Sequence, residues 1–512
     1  MTRHVTKRDC KVYRPPTDLP PDTVKSRAWP TGAVARPVLW SPAMKFCLCL
    51  ASCLLAVSPA FAQPAPQPKT PSKGNAAAAA VGDDFDREVD ALFVQGGLTA
   101  DQAAARAMKV SPEVIKSAAE VDAAIAQRQT AQLALVPQIS GNASYTRLSP
   151  VDPLAFGGFN IAFPQNSTVF SGTIGVPLSE YVWRFPKLIS AAKLGEAASR
   201  TNQRTSEVNA SHEARVAYFE WLRARLQVLI AQRQLAQVQT TLKQVSALAE
   251  VQRLSKADLM RVEAEEATAE QTLNQLNNLF QLREEQLRIL IGARQDEQLA
   301  ISEDVRGDIA PPAQQSVDDL LKHAEKNRLE FKAINQGIDA KLEQREAERA
   351  SLVPRLSAFA QADYANPNQR IFPQEDKFAF TWQAGVQLSW TLNDTLVTRK
   401  TLDRLAAEAN QLRADRDNLV RGTRVQVMSA QQDVDLAQLS LNTSQKALES
   451  AMESYRVRKE LLNAERATAV ELVDAETTLT RARIASLNAR VDLRVALANL
   501  AHALGDDVHA PK

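Results

Sequence analysis

An internal duplication sets the first limit on how this 512-residue chain can fold. The segment 135–145 (LVPQISGNASY) returns 217 residues later as 352–362 (LVPRLSAFAQA). The segment 175–180 (GVPLSE) returns after 210 residues as 385–390 (GVQLSW). Such self-similarity indicates two copies of one structural unit. We therefore predict two related units of roughly 210 residues each.

Each copy contains two segments with the period-two alternation of β-strands. In the stretch 377–390 (KFAFTWQAGVQLSW), alternate residues are apolar and those between are mostly small or polar. The segments 139–146, 169–178 and 356–364 alternate in the same way, and equivalent residues of the two copies share a face. We therefore predict four strands with one apolar face. Its larger side chains are Ile139, Tyr145, Phe170, Ile174, Val176, Leu178, Leu356, Tyr364, Phe378, Phe380, Trp382, Val386, Leu388 and Trp390.

Long helices follow each pair of strands. Residues 188–254 contain no Pro and a single Gly, and a helix of that length extends for about 100 Å. Val228, Ala231 and Leu235 begin a series with alternating steps of three and four residues, which indicates a coiled-coil seam. The predicted helices of the first copy span 112–135, 188–254 and 256–291, and those of the second copy span 329–352, 398–462 and 469–504.

The turns between the long and return helices carry the same signal in both copies. Ser255 is followed three residues later by Asp258, and Thr468 is followed three residues later by Glu471. A hydroxyl at the N-cap with a carboxylate three residues on is a capping box, which begins a helix. We therefore predict two helical-hairpin tips at equivalent positions. The residues assigned to these tips are Leu254, Ser255, Asp258, Ala467 and Thr468.

The first 62 residues predict export. Met44 precedes a short basic start, residues 46–57 are an apolar run, and Ala60-Phe61-Ala62 is a small-residue cleavage site. This pattern is typical of a secretory signal peptide, so we expect translation to begin at Met44 and cleavage to follow Ala62. Lipoprotein processing at Cys53 is the alternative. Because all four Cys precede Ala62, the mature chain would contain no disulfide.

The mature chain offers no group of residues typical of an enzyme. Its histidines lack metal-ligand spacing, and no Gly-rich phosphate loop is present. We therefore predict no catalytic residue, cofactor site or metal site. The net charge of +2 gives no reason to expect a nucleic-acid partner. No later apolar run approaches the length of about 18 residues that indicates a transmembrane helix. The four histidines are His212, His323, His502 and His509.

The four predicted strands cannot form a closed structure alone. They have about the length of membrane-spanning β-strands, and an open sheet edge in lipid leaves unpaired backbone groups. Three protomers would supply twelve strands, an even number that can close into a barrel. We therefore expect a homotrimer whose apolar strand face contacts outer-membrane lipid, with Trp382 and Trp390 toward the interfaces. A half-buried sheet in a soluble domain is the alternative.

Over residues 85–506 the chain resembles the TolC family of outer-membrane efflux proteins. The likeness is carried by the duplication, by Val136-Pro137 and Val353-Pro354, by the strand segments, and by the tip segments RLSKADLMRVEAE and RATAVELVDAETTL. The resemblance implies a mainly α-helical fold with a small transmembrane β-sheet. It also implies a trimer in which a 12-stranded β-barrel in the outer membrane of a Gram-negative cell continues as an α-helical barrel through the periplasm.

The resemblance further implies a function without catalysis. Such proteins are passive exit ducts of tripartite efflux pumps or type I secretion systems. They bind a periplasmic adaptor and, through it, an inner-membrane transporter, so the predicted tip residues would dock the adaptor. A different class stays open, namely a periplasmic coiled-coil adaptor or scaffold protein with a soluble β-domain.

The second tip predicts the gate of such a duct. Glu471 and Asp474 are three residues apart on the return helix and share a face, so a trimer would stack two rings of carboxylates. The family closes its periplasmic mouth near aspartates in a matching segment, which here reads VELVDA. The alternative is a capping role for Glu471 and a solvated Asp474. The chain departs from the family at the turns, where Gln252 and Glu465 replace a common glycine.

These features divide the chain into six parts. They are an upstream extension with the signal peptide at 1–62, a Pro/Ala-rich tether at 63–84, the first repeat at 85–293, a connecting segment at 294–326, the second repeat at 327–506 and a tail at 507–512.

Overall fold

A computed structural model describes residues 87–150, 154–156, 159–161, 164–304, 306–307, 316–372, 374–464 and 466–509. The predicted signal peptide, the alternative processing site at Cys53 and the tether at 63–84 lie outside the described residues. Glu465, at the second turn, also lies outside them.

Strands form one four-stranded sheet, a short hairpin and a separate strand near the start of the described chain. They are β1 Phe93–Leu98, β2 Gln138–Arg147, β3 Leu154–Phe156, β4 Phe159–Ile161, β5 Asn166–Val176, β6 Arg355–Asn366 and β7 Ala379–Ser389. The four-stranded sheet has the order β2-β5-β6-β7, and all its pairs are antiparallel. The first repeat supplies β2 and β5 and the second supplies β6 and β7, so the two repeats meet at the centre of the sheet.

The register of this sheet confirms the predicted faces. Ile139 lies opposite Ile174. Phe170 lies opposite Tyr364, which in turn lies opposite Phe380. Directly opposed residues project from the same side of a sheet. The large apolar side chains of both repeats therefore share one face, as the alternation predicts.

Helices make up most of the described chain. They are α1 Ala100–Val110, α2 Pro112–Leu133, α3 Leu178–Trp183, α4 Phe185–Glu250, α5 Lys256–Ile291, α6 Val317–Asn327, α7 Leu329–Arg349, α8 Leu392–Asn463 and α9 Ala469–Leu504, with 3-10 turns at Ala350–Leu352 and Asp506–His509. Both return helices, α5 and α9, span the predicted residues. Both long helices begin earlier than predicted; α4 accommodates Pro186 in its first turn, where a missing N–H costs no helical hydrogen bond.

Three residues predicted to lie in strands fall beyond the strand ends. Leu178 begins α3 because Pro177 lacks the N–H that would continue the ladder. Trp390 follows the end of β7, because the facing strand β6 begins directly after Pro354. Phe378 lies one residue before β7, where the ladder with β6 has ended. The strand assignment of Leu178, Phe378 and Trp390 is therefore wrong.

Helix α4 is the centre of the helical packing. It contacts α2 and α5 of its own repeat and α7 and α9 of the second repeat, whereas α8 packs on α7 and α9. Its seam residues Val228, Ala231, Val238 and Val245 are buried, which confirms the predicted coiled-coil seam. In the described ranges, no helix is both long and apolar enough to cross a membrane.

A buried cluster near the midpoint of α4 attaches the connecting segment to the helices. Tyr218 and Leu222 of α4 are fully buried in it. The Tyr218 hydroxyl donates a hydrogen bond to the Leu98 carbonyl at 2.9 Å, and the Leu98 N–H donates to the Ala300 carbonyl at 2.7 Å. A Cβ at Gly97 would lie 2.7 Å from the Ala300 oxygen, so only glycine fits this close approach of two chain segments.

Candidate functional site at the paired helical tips

The first tip is a tight turn closed by backbone hydrogen bonds. The Gln252 N–H donates to the Ala249 carbonyl at 3.0 Å, and the Arg253 N–H donates to the Leu248 carbonyl at 2.9 Å. This pair of bonds is the Schellman motif, which has a left-handed residue at the position of Gln252. The φ angle of Gln252 is 59°, in the region that glycine favours. Replacing the common glycine therefore leaves the turn type unchanged but strains its backbone.

Both return helices begin with the hydroxyl half of the predicted capping box, while the reciprocal bond from the carboxylate to the N-cap N–H is not formed in the described chain. The Ser255 hydroxyl accepts a hydrogen bond from the Asp258 N–H at 3.1 Å, and the Thr468 hydroxyl accepts one from the Glu471 N–H at 3.2 Å. Each bond satisfies one of the free N–H groups at a helix start. The turn is repeated as well, since the Arg466 N–H donates to a carbonyl five residues earlier at 2.8 Å.

A small apolar cluster joins the two tips. Val245 and Val262 of the first hairpin are buried against Ala469 and Val473 of α9, and Leu254 packs on them. The two hairpin ends therefore form one continuous end of the protomer. Among the predicted tip residues, Leu254, Asp258 and Ala467 are half-buried, whereas Ser255 and Thr468 are exposed.

Each predicted gate carboxylate forms an ion pair with an arginine of the same chain. Glu471 pairs with Arg458 of α8. The Oδ1 atom of Asp474 lies 3.1 Å from Nη2 of Arg261 on α5. The four side chains are 44–62% exposed, so each pair contributes about 1 kcal/mol or less. The Arg458 pair lies within one hairpin, while the Arg261 pair connects the hairpins of the two repeats.

A buried carboxyl that was not predicted from the sequence lies near the predicted gate residues. Glu476 on α9 is 2% exposed, and it accepts a hydrogen bond from the Thr241 hydroxyl of α4 at 3.0 Å. Its other oxygen, Oε2, is buried without a hydrogen-bond partner in the described chain. Burial raises the pKa of Glu476 to about 7, although the Thr241 hydrogen bond opposes the shift. The spacing of Leu472, Glu476 and Leu479 could have predicted this burial, because it places all three residues on one buried face of α9.

The apolar face of the sheet is exposed to its surroundings. Soluble monomers rarely expose contiguous apolar patches of this kind. Ile139 at one edge is 76% exposed, and the large apolar residues of β7 are 64–69% exposed. The exposed residues of β7 are Phe380, Trp382, Val386 and Leu388.

The other predicted residues of this face are exposed to different degrees. Tyr145 and Trp390 are more than half exposed, and Val176 is half-buried. Although Phe378 lies outside β7, its ring stacks on Tyr364 at a centroid distance of 5.0 Å, so it covers the same face. The intermediate group, 39–49% exposed, consists of Phe170, Ile174, Leu178, Leu356, Tyr364 and Phe378.

Two histidines that are far apart in the sequence meet in the fold. The rings of His212 and His502 stack with their centroids 4.2 Å apart. Nδ1 of His502 lies 2.7 Å from an oxygen of Asp507. Burial, and then the nearby His502, lower the pKa of His212 to about 4. The spacing of these residues in the sequence does not predict their contact, because only tertiary packing brings α4 and the end of α9 together.

The fold and the tips define a class of duplicated proteins in which a small sheet with an exposed apolar face continues into paired helical hairpins of about 100 Å. The family model described as "Outer membrane efflux protein" matches residues 103–293 and 320–506, one segment in each repeat. The chain belongs to this family. Membership confirms the resemblance seen in the sequence, and it favours a channel over a soluble adaptor and over an enzyme.

Individual relatives agree with this assignment. The outer membrane protein TolC of Escherichia coli (strain K12) is 25% identical over 422 residues, which cover 77% of this chain and 80% of TolC. The CmeC outer membrane channel of Campylobacter jejuni superposes with a TM-score of 0.67 at 14% identity, covering 82% of this chain and 86% of CmeC. The MtrE outer membrane channel of Neisseria gonorrhoeae, solved in its open state, superposes with a TM-score of 0.63 at 17% identity, covering 79% of this chain and 88% of MtrE. The two structural matches confirm the fold.

Proposed function

We propose that this member of the family is a trimeric outer-membrane channel that serves as the passive exit duct of a tripartite efflux pump or a type I secretion system. The observation that carries the proposal is the four-stranded sheet, which combines an exposed apolar face with two open edges. In the described chain, β2 and β7 each pair with a single neighbour. Open edges in lipid leave backbone groups unsatisfied, so closure requires strands from other protomers.

Threefold assembly supplies this closure. Three copies of the sheet make a barrel of twelve strands, in which β2 of one protomer pairs with β7 of the next. The apolar face then contacts the hydrocarbon of the outer membrane, and the opposite face, with pairs such as Thr173 and Gln361, lines the lumen. This arrangement follows the alternation that membrane barrels use.

The helices offer two further surfaces for assembly. Helix α8 exposes Val425, Met428, Leu436 and Leu439, and α5 exposes Leu279, Leu282 and Ile289. Two different apolar surfaces on one chain support a head-to-tail interface, which closes into a ring when the rotation between protomers fits. A ring of three protomers would continue the strand barrel as a helical barrel into the periplasm.

The tips then have two roles. Glu471 and Asp474 form the gate at the periplasmic mouth, where their pairs with Arg458 and Arg261 favour the closed state. The open-state structure of MtrE supports a second, open conformation for this fold. The tip residues around Ser255 and Thr468 dock a periplasmic adaptor, which connects the duct to an inner-membrane transporter.

Planar-bilayer recording tests the duct. We expect protein extracted from the outer-membrane fraction to produce discrete conductance steps when it is added to a planar lipid bilayer. Membrane-extracted oligomer that inserts without producing any steps would contradict a duct, while leaving the family assignment intact.

Cysteine crosslinking tests the docking role. Single cysteines at Ser255 and Thr468 should crosslink to a co-expressed adaptor. A cysteine at Lys322, which is exposed on α6 far from the tips, is the control and should give no adduct. Absence of adducts at both tips, or equal adducts at Lys322, would refute docking at this end.

A further inference from the structure

A second group of functional side chains lies at the end of α9 opposite the tips. His212 of α4, His502 of α9 and Asp507 of the following 3-10 turn each offer a ligand atom, and these atoms lie within 4.8 Å of one another. The group joins the two repeats, because His212 belongs to the first and His502 to the second. Nothing in the gate or docking roles uses these residues.

The Asp507 carboxylate provides an independent sign of a cation site. Its side chain is only 5% exposed, and its Oδ2 atom lies 2.7 Å from Nδ1 of His502. Its Oδ1 atom is buried without a hydrogen-bond partner among the described residues. A buried carboxylate oxygen without a donor or a cation costs free energy, so such an atom calls for an explanation.

The two histidines are held side by side by stacking. The rings of His212 and His502 lie with their centroids 4.2 Å apart and their planes 9° from parallel. His212 and Asn499 also line a surface cavity of about 610 Å³, together with Glu213, Glu220 and Arg283. Of the three residues in the group, this cavity reaches His212, whereas His502 and Asp507 line a separate, smaller pocket with Arg328 and Glu330.

The nearby positive charges are already neutralised. Arg215 lies 2.9 Å from Asp101, and Arg328 lies 3.0 Å from Glu330. These guanidiniums therefore leave the negative charge of Asp507 available for a cation.

We propose that His212, His502 and Asp507 bind one divalent transition-metal ion of the Zn²⁺ type. Two imidazole nitrogens and one carboxylate oxygen match the preference of such ions, and a water molecule would complete a tetrahedron. Bonds of about 2.0–2.1 Å place tetrahedral ligands roughly 3.4 Å apart, so ligand atoms that now lie within 4.8 Å of one another approach by up to about 1.4 Å on binding. The stacked imidazoles also rotate, because the lone pairs of parallel rings do not converge on one ion. The ion ties α4 of the first repeat to the end of the second repeat.

Zinc titration of the untagged full-length protein, purified in detergent and stripped with a chelator, tests this site. Calorimetry should show one Zn²⁺ bound per chain. His212→Phe keeps a ring that can stack on His502 but removes the ligand nitrogen, and it should weaken binding at least about tenfold. Asp507→Asn should weaken it similarly, which covers the case in which His212→Phe fails to fold. Replacing Zn²⁺ with Co²⁺ should give a visible absorption band that His212→Phe abolishes.

His323→Phe is the matched control. His323 forms the neighbouring pair with Asp506 at 2.6 Å but is not one of the three ligands, so this variant should bind Zn²⁺ like the parent. The proposal is overturned if the parent shows no saturable binding. It is equally overturned if folded His212→Phe and Asp507→Asn retain parental affinity, or if His323→Phe loses as much affinity as they do.

Discussion

Arg261 and Asp474 occupy equivalent positions in the two repeats and pair with each other. Their side chains lie 3.1 Å apart and 213 residues apart in sequence, and the same interval separates the two capping residues Ser255 and Thr468. The same position of the repeat thus carries a positive charge in the first hairpin and a negative charge in the second. The two hairpins contact each other at this position. An exposed pair of this kind is weak, which suits a contact that would break in the opening we propose for the periplasmic mouth.

Removing both gate carboxylates should favour the open mouth. Each pair contributes about 0.5 kcal/mol and a trimer contains two per chain, so Glu471→Ala with Asp474→Ala should raise the ratio of open to closed channels by about fivefold per protomer, or roughly 150-fold when the three protomers open together. Single-channel recording in planar bilayers measures this change. Asp403→Ala removes a more exposed pair with Lys400 on α8, away from the tips, and should behave like the parent. Identical open probability and conductance in the double variant and the parent would count against the gate.

Glu476 should make stability depend on pH between about 4.5 and 7. Its folded pKa is raised from 4.5 to about 7, so the folded protein binds the proton more tightly than the unfolded chain. The stabilisation that comes from protonating Glu476 is fully present below pH 4.5 and is lost as the pH rises through 7. Glu476→Gln should therefore gain about 1–3 kcal/mol over the parent on going from pH 4.5 to pH 8.

Thermal unfolding at the two pH values measures this gain as a difference in Tm between variant and parent. Glu263→Gln is the control, because Glu263 is the exposed repeat equivalent of Glu476 and should show no such change. A Tm difference for Glu476→Gln that stays constant with pH would show that Glu476 does not titrate in this window.

Gln252→Gly should stabilise the first tip. The φ angle of 59° at Gln252 costs a non-glycine residue about 1 kcal/mol, and glycine removes that cost. Gln244→Gly is the matched control: Gln244 is exposed within α4, so glycine there should destabilise by about 1 kcal/mol. Denaturant unfolding compares the two variants, and opposite signs are expected. A loss of stability in both would mean that the turn is not left-handed at Gln252.

Adjacent residues of β7 should respond in opposite ways to a charge. Val386→Arg places a guanidinium on the proposed lipid face, at a cost of up to about 2–4 kcal/mol per chain, and should sharply reduce the trimer recovered from outer membranes. Gln387→Arg places the same charge on the other face and should be tolerated. Immunoblots of unboiled membrane fractions quantify the trimer. Equal recovery of both variants would contradict a lipid-facing Val386.

Sequence patterns predicted the ends of the return helices and the faces of the strands, which depend mainly on residues that are close in sequence. The return helices begin and end as expected because a hydroxyl cap at Ser255 or Thr468 and a glycine at Gly292 or Gly505 define them. The strand faces follow from the alternation of apolar and polar residues, because successive side chains of a β-strand point to opposite faces of the sheet. Leu178 and Trp390 were wrongly assigned to strands because the apolar spacing continues in the sequence beyond the point where a proline ends the hydrogen-bonded ladder.

Tertiary contacts determined what the sequence did not reveal. Asp474 becomes the partner of Arg261 only through the packing of α5 on α9, which the sequence does not show. The hydrogen-bond partner of the buried Glu476 is Thr241, which lies on another helix. His212 and His502 lie in different repeats, so their contact requires the complete fold.

The size and solubility of the purified mature protein test the central claim most directly. Native mass spectrometry of protein extracted from the outer membrane should give three chains per particle, and detergent should be required to keep them in solution. A monomer that stays dissolved without detergent would contradict the account, because the exposed apolar face of its sheet would then need neither lipid nor a second protomer.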